Sequence, residues 1–173
     1  MSPGEASIVM ACAKVGQFMR HILTAVPLTI RGADNAYPLV SLVAPLVTEA
    51  RWRGFVGEWL SGPQCRTGIA VVQNAANILL AAYAWQVLAD LDSVRSLRVP
   101  HVFIAGLPGR SLGDFVLSAI DAEAQRRQCD TVILEQTSTD FPVATRIPRE
   151  CLDSAGFVFR GEIVIRAPAR TNI

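Results

Sequence analysis

The sequence predicts one α/β domain, more closely an α+β arrangement with a single mixed β-sheet covered by helices on both faces. The order of apolar periods is the main reason. It switches between helical and alternating spacing to give strand, two helices, three strands, helix, strand, helix and strands. At 173 residues the chain has the length of one domain and can bury a full core. With 51% apolar and 18% charged residues it cannot be a disordered chain. No repeat, linker or low-complexity run divides it.

The elements follow in order. Met10, Val15, Phe18, Met19, Ile22 and Leu23 recur at helical spacing, so residues 1–24 are expected to form an amphipathic N-terminal helix ahead of a domain spanning 25–173. That helix is expected to pack on its own domain, with a homodimer contact as the alternative. Leu28 to Arg31 is a short strand ended by Gly32. Asp34 or Asn35 then caps a helix reaching about Val43, where Pro45 interrupts it. Thr48 to Leu60 is a second helix with Trp52, Phe55, Val56 and Trp59 on one face, closed by Gly62-Pro63. Gly68–Val72 and Ile78–Leu88 read as strands, the second with Tyr83, Trp85 and Val87 on one side. Arg95–Ala105 is a strand containing Pro100, which donates no ladder hydrogen bond and so predicts a bulge or splay there. After the loop Gly106–Arg110, the helix Ser111–Gln128 places Leu112, Phe115, Val116, Ala119 and Ile120 on one face. Thr131–Glu135 is a buried strand. Pro148–Ala155 is a short helix with Gly156 just past its end, and Phe157–Phe159 and Glu162–Ile165 are strands.

Charge and cysteine usage narrow the function classes. A formal net charge of +1 supplies no field for nucleic acid or an anionic membrane, so neither partner is expected. Ile8 to Leu23 is broken by Lys14, Arg20 and His21 and falls short of the ~18 apolar residues of a membrane span. Cys12, Cys65, Cys129 and Cys151 share no ligand spacing, and His21 and His101 are the only histidines. No metal site and no disulfide framework are expected, and scattered reduced thiols fit a cytoplasmic location.

The segment with chemical content is the strand to Ala105, the loop Gly106-Leu107-Pro108-Gly109-Arg110 and the helix from Ser111. Gly109 and Gly113 let backbone approach a ligand closely. The first helix N–H groups lack intrahelical partners, and the dipole end is positive, so the spot suits an anion. Arg110 adds a cation at the rim. Glycines before a helix also make ordinary β–α turns, and no lysine follows as a P-loop requires.

With Cys129–Glu135 as a strand directly after this helix, and Cys151-Leu152-Asp153-Ser154-Ala155-Gly156-Phe157 as a short helix stopped by Gly-Phe, the arrangement from Leu28 to Ile165 resembles the GNAT superfamily of acyl-CoA-dependent N-acyltransferases. The resemblance implies a sheet splayed beside the Pro100 strand, where backbone groups of His101, Val102, Phe103 and Ala105 pair with pantetheine amides. It further implies that amides of Gly109, Arg110, Ser111, Leu112, Gly113 and Asp114 hold the diphosphate of acetyl-CoA or another acyl-CoA. The family motifs are degenerate here. Pro108 and Ser111 replace the first motif residue and first glycine, and Leu152 stands where the family often has a tyrosine acid.

Acyl transfer needs a neutral amine, a stabilised oxyanion and a protonated thiolate. His101 is the best-placed titratable group and Glu135 a second candidate, acting through water; Tyr83 is a further acid candidate. A packed histidine and a solvated strand-end carboxylate are the plain structural alternatives. If the stripe of Trp52, Phe55 and Trp59 lines a pocket, the acceptor is apolar or aromatic. The resulting expectation is an N-acyltransferase using acyl-CoA and a small-molecule or peptide amine. A catalytically degenerate acyl-CoA-binding or regulatory module of the same fold is the alternative.

Overall fold

A computed structural model of the chain describes residues 23–63, 66–89, 95–105, 111–135, 147, 149–160 and 163–166. The expected N-terminal helix, the loop Gly106–Arg110, Cys12, Cys65 and residues 136–146 lie outside the described residues.

The first strand, β1, is Thr24–Pro27, earlier than the expected Leu28–Arg31. Ladder bonding stops once Leu28 N donates to Ile69 O (2.8 Å), and Thr29 turns the chain by accepting from Gly32 N (3.2 Å). The turn Ile30–Gly32 is a 3-10 helix leading straight into α1, Ala33–Val43. Because that turn feeds the helix, Gly32 holds the cap position and neither Asp34 nor Asn35 serves as cap. Asp34 instead binds Arg53 at 2.6 Å. Pro38 removes one bond inside α1. Burial of Ala36, Leu39, Val40 and Val43 holds the helix in place. Helix α2, Glu49–Ser61, is capped by the Thr48 hydroxyl, which accepts from Arg51 N at 3.3 Å.

Strands β2 (Thr67–Gln73) and β3 (Leu79–Ala89) form a hairpin whose turn is tied by Asn74 Oδ1 to the amides of Ala76 and Ile78. Strand β4 is Arg95–Ile104, helix α3 is Ser111–Arg126 and strand β5 is Thr131–Glu135. Helix α4, Arg149–Ser154, ends at Gly156 (φ 77°), where Phe157 N bonds back to Leu152 O at 3.0 Å. Strands β6 (Val158–Arg160) and β7 (Ile163–Arg166) follow.

These strands make one sheet in the order β1-β2-β3-β4-β5-β7-β6. Neighbours are antiparallel except β4 and β5, which are parallel and joined by α3. One core lies under α3 and α4 and gathers Tyr83, Trp85, Leu97, Val99, Val116, Ile120 and Leu152. The second lies under α1 and α2 and includes Val40, Trp52, Val56, Ala82, Ala84 and Phe103. The mixed sheet covered on both faces is as expected. Cys129 and Cys151 are buried, as small core residues.

Candidate active site

Strand β4 changes character at Pro100. Its antiparallel ladder with β3 pairs Arg98 with Gln86 and His101 with Ala84, so Val99 and Pro100 together oppose the single residue Trp85. This is the bulge that proline demands, since its ring nitrogen has no proton to give the ladder. The parallel ladder with β5 ends at the same place, with Val99 against Leu134 as its last pair. Beyond it, Pro100 to Ile104 pair only with β3 among the described residues.

The extra residue resets both alternations of the strand. Before it, Leu97 and Val99 point into the core under α3, with Arg98 on the opposite face. After it, Val102 and Ile104 point under α3, while Phe103 and Ala105 join the core under α1 and α2. His101 shares the face of Phe103. Main-chain groups shift in the same way. The Ala105 amide donates to Leu80 O at 2.8 Å, so by antiparallel alternation His101 and Phe103 also turn their groups to β3. The groups that turn away from β3, on the side where the β5 ladder has ended, are those of Val102 and Ile104. Of the expected set His101, Val102, Phe103 and Ala105, Val102 alone turns its main-chain groups away from β3, because the bulge inverts the parity of the others.

His101 is half-buried in a ring cluster. Phe55 meets it edge-on at 5.3 Å between centroids, Trp59 at 6.3 Å, and Phe103 lies nearly parallel at 6.4 Å. Helix α2 supplies these rings because Trp52, Phe55 and Trp59 recur along one side. Trp52 is buried and donates to Ala33 O at 2.8 Å; Trp59 donates to Gly68 O and Trp85 O. The imidazole makes no hydrogen bond among the described residues. Burial pushes its pKa below the usual 6.5, the nearby Glu135 charge opposing that shift and the Arg98 cation adding to it.

Glu135, at the end of β5, lies close enough to act on His101 electrostatically and is held at two points by Arg98. The Arg98 Nε donates to Oε1 and Nη2 donates to Oε2 at 2.9 Å. Arg98 is the residue that sequence reasoning missed. An arginine between Leu97 and Val99 in the interior of the strand was the available signal, since such a cation needs a partner. Both carboxylate oxygens are engaged, so Glu135 serves better as an orienting charge than as a free base.

The other candidates lie elsewhere. Tyr83 is buried on the α3 side of the sheet, opposite to His101, and its acid proton cannot reach the same point. Leu152 and Cys151 are buried in that same core. At the start of α3, Leu112 and Gly113 are buried and Asp114 is half-buried. Gly109 and Arg110 lie outside the described residues, and the Ser111 backbone opens the helix. Among the described residues no three His, Cys, Asp or Glu side chains converge as a metal site would require. No described helix is long and apolar enough to cross a membrane.

No family model matches the sequence, and no curated protein matches it either. Solved structures do match. A GNAT-family acetyltransferase from Streptococcus pneumoniae aligns over 85% of this chain and 99% of its own, with a TM-score of 0.60 at 11% identity. A spermidine/spermine N-acetyltransferase from Vibrio cholerae covers 84% and 95%, with a TM-score of 0.61 at 13% identity. The NatC complex bound to Gag peptide and CoA covers 86% and 99%, with a TM-score of 0.60 at 15% identity. Identities this low speak for the backbone rather than for any shared substrate, and the backbone is unambiguous: this chain has the GNAT N-acetyltransferase fold.

Proposed function

We propose that the chain transfers an acyl group, acetyl in the first instance, from acyl-CoA to the amine of an apolar or aromatic acceptor. The observation that carries this reading is the Pro100 bulge, which frees the Val102 and Ile104 main chain and turns His101 toward the rings of α2. In this reading the freed groups pair with the pantetheine amides, and the first amides of α3 face the diphosphate. The structural neighbours support acyl transfer in general, and one of them is a complex with CoA.

The chemistry then follows from the side chains present. The amine nitrogen attacks the thioester carbonyl, forming the C–N bond, and the C–S bond breaks as the tetrahedral state collapses. His101, neutral at pH 7 because it is half-buried, takes the proton that the nitrogen must lose. With leucine at position 152 and Tyr83 on the opposite face, the same imidazolium is the donor at hand for the departing thiolate. The Arg98–Glu135 pair orients that proton carrier by its charge. Proximity of amine and thioester contributes on the order of 7 kcal/mol or more to lowering the barrier. Arg98 and Glu135 neutralise each other, so nothing among these groups favours a polycation over a singly charged or aryl amine.

Thiol release from acetyl-CoA over a panel of aryl amines, aralkyl amines, polyamines and peptides tests the reading. Turnover is expected with apolar or aromatic amines, and no turnover with any acceptor overturns it. Leu152, buried in the core in the position of the family tyrosine, favours a second reading. There the fold binds acyl-CoA without catalysis, and calorimetry with CoA giving tight binding without turnover would select it.

A further inference from the structure

On the other side of the sheet from His101, a cavity of about 730 Å³ opens between β1, the start of β2 and the second half of α3. The proposed transfer does not use it. Its walls are largely apolar, among them Pro27, Ala70 and Ala119. Into this space faces Tyr83, only 2% exposed, whose hydroxyl makes no hydrogen bond among the described residues. Thr67 on the same wall buries its Oγ1 without a hydrogen-bond partner among the described residues, a cost that a polar ligand group would relieve, and the Tyr83 hydroxyl is a second donor facing the space. Beside it, Glu123 is buried and bridged by Arg126 and by Arg127 (2.8 Å from its Nε). Arg127 also lies over the Trp85 ring, 4.5 Å from the centroid. Three arginines, Arg31, Arg126 and Arg127, line the cavity against the single carboxylate Glu123.

We propose that this cavity is a second ligand site that takes an amphipathic organic anion. The apolar or aromatic body lies against Trp85 and the β1 wall, and its carboxylate or sulfonate accepts from the Tyr83 hydroxyl and an arginine. The volume falls within the range of small-molecule sites, and a few convergent polar groups on an apolar lining are their usual chemistry. The charge excess decides the sign of the ligand, since an arginine prefers a planar anion with which it can bond at two points.

The test uses the full chain with 1-anilinonaphthalene-8-sulfonate as probe and its uncharged analogue N-phenyl-1-naphthylamine as control. Saturable fluorescence enhancement by the anionic probe, one site per chain and insensitive to CoA, is expected. Ala122→Trp, which fills the mouth from an exposed position, should abolish it. Arg126→Glu, at a side chain 64% exposed, should weaken the anionic probe by about tenfold or more and leave the uncharged one unchanged. Thermal unfolding checks that both variants fold; if Ala122→Trp does not, Arg126→Glu alone decides. The proposal is overturned if the full chain shows no saturable binding. It is equally overturned if CoA displaces the probe, or if Arg126→Glu leaves its affinity unchanged.

Discussion

Among the residues of the site, His101 has the clearest physical signature. It is surrounded by rings, lacks a hydrogen bond among the described residues, and has its pKa lowered by burial. A histidine so placed binds fewer protons when folded than when unfolded between its lowered pKa and about 6.5. Its contribution is therefore free of penalty above about pH 6.5, and stability falls as pH drops through the folded value. The rate should rise with pH over the same window, as a base requires. His101→Gln is expected to lower kcat by about 10²–10⁴-fold, flatten the acid limb and leave CoA affinity intact. An unchanged pH profile in that variant would remove His101 from the chemistry. Gly68 makes a separate prediction. A Cβ there would sit 2.4 Å from the Trp85 ring, on a strand with no room to yield. Gly68→Ala should cost about 1–3 kcal/mol by overpacking, read by denaturant unfolding, and a neutral result would mean that Trp85 has another rotamer available.

Strand β4 is the element that decides the site, and its decisive feature is one extra residue. Deleting Pro100 would leave Val99 alone opposite Trp85 and restore simple alternation, with each residue from His101 onward on the face that it already holds. A retained fold in thermal unfolding is expected, together with loss of CoA binding in calorimetry, because only the local bulge is removed. A deletion variant that keeps its CoA affinity would show that the bulge does not organise the cleft. This proline was legible in the sequence because its missing N–H is a local property. The parity of the main-chain groups was not, because it depends on which partner residue the bulge skips. Helix α2 was readable from its Thr48 cap and ring spacing. The start of α1 was not, because a 3-10 turn capped by Thr29 supplied an entry that helical periodicity does not reveal.

For the whole molecule, the sheet separates the two proposed sites by its faces. The side under α1 and α2 carries His101, Arg98 and Glu135, and the side under α3 carries Tyr83, Glu123 and the cavity. If acyl-CoA binds the folded state alone, CoA at a hundredfold excess over Kd should add about 2.7 kcal/mol. Thermal unfolding would then shift upward by about 2–4 °C per kcal/mol, as usual for a chain of this size. A midpoint independent of CoA concentration would rule out specific binding at the splayed strand.

Local chemistry determined much of this protein. Apolar periods, caps and turn residues specified most elements and the mixed sheet, and Pro100 marked where the ladder had to break. These properties reside within a few neighbouring residues, so the chain states them directly. Tertiary structure alone decided that Arg98 would clamp Glu135, that Tyr83 and His101 would face opposite ways, and that Val102 and Ile104 would turn their main-chain groups away from β3. Each of those outcomes depends on register between strands distant in sequence, and one bulged residue is enough to invert it.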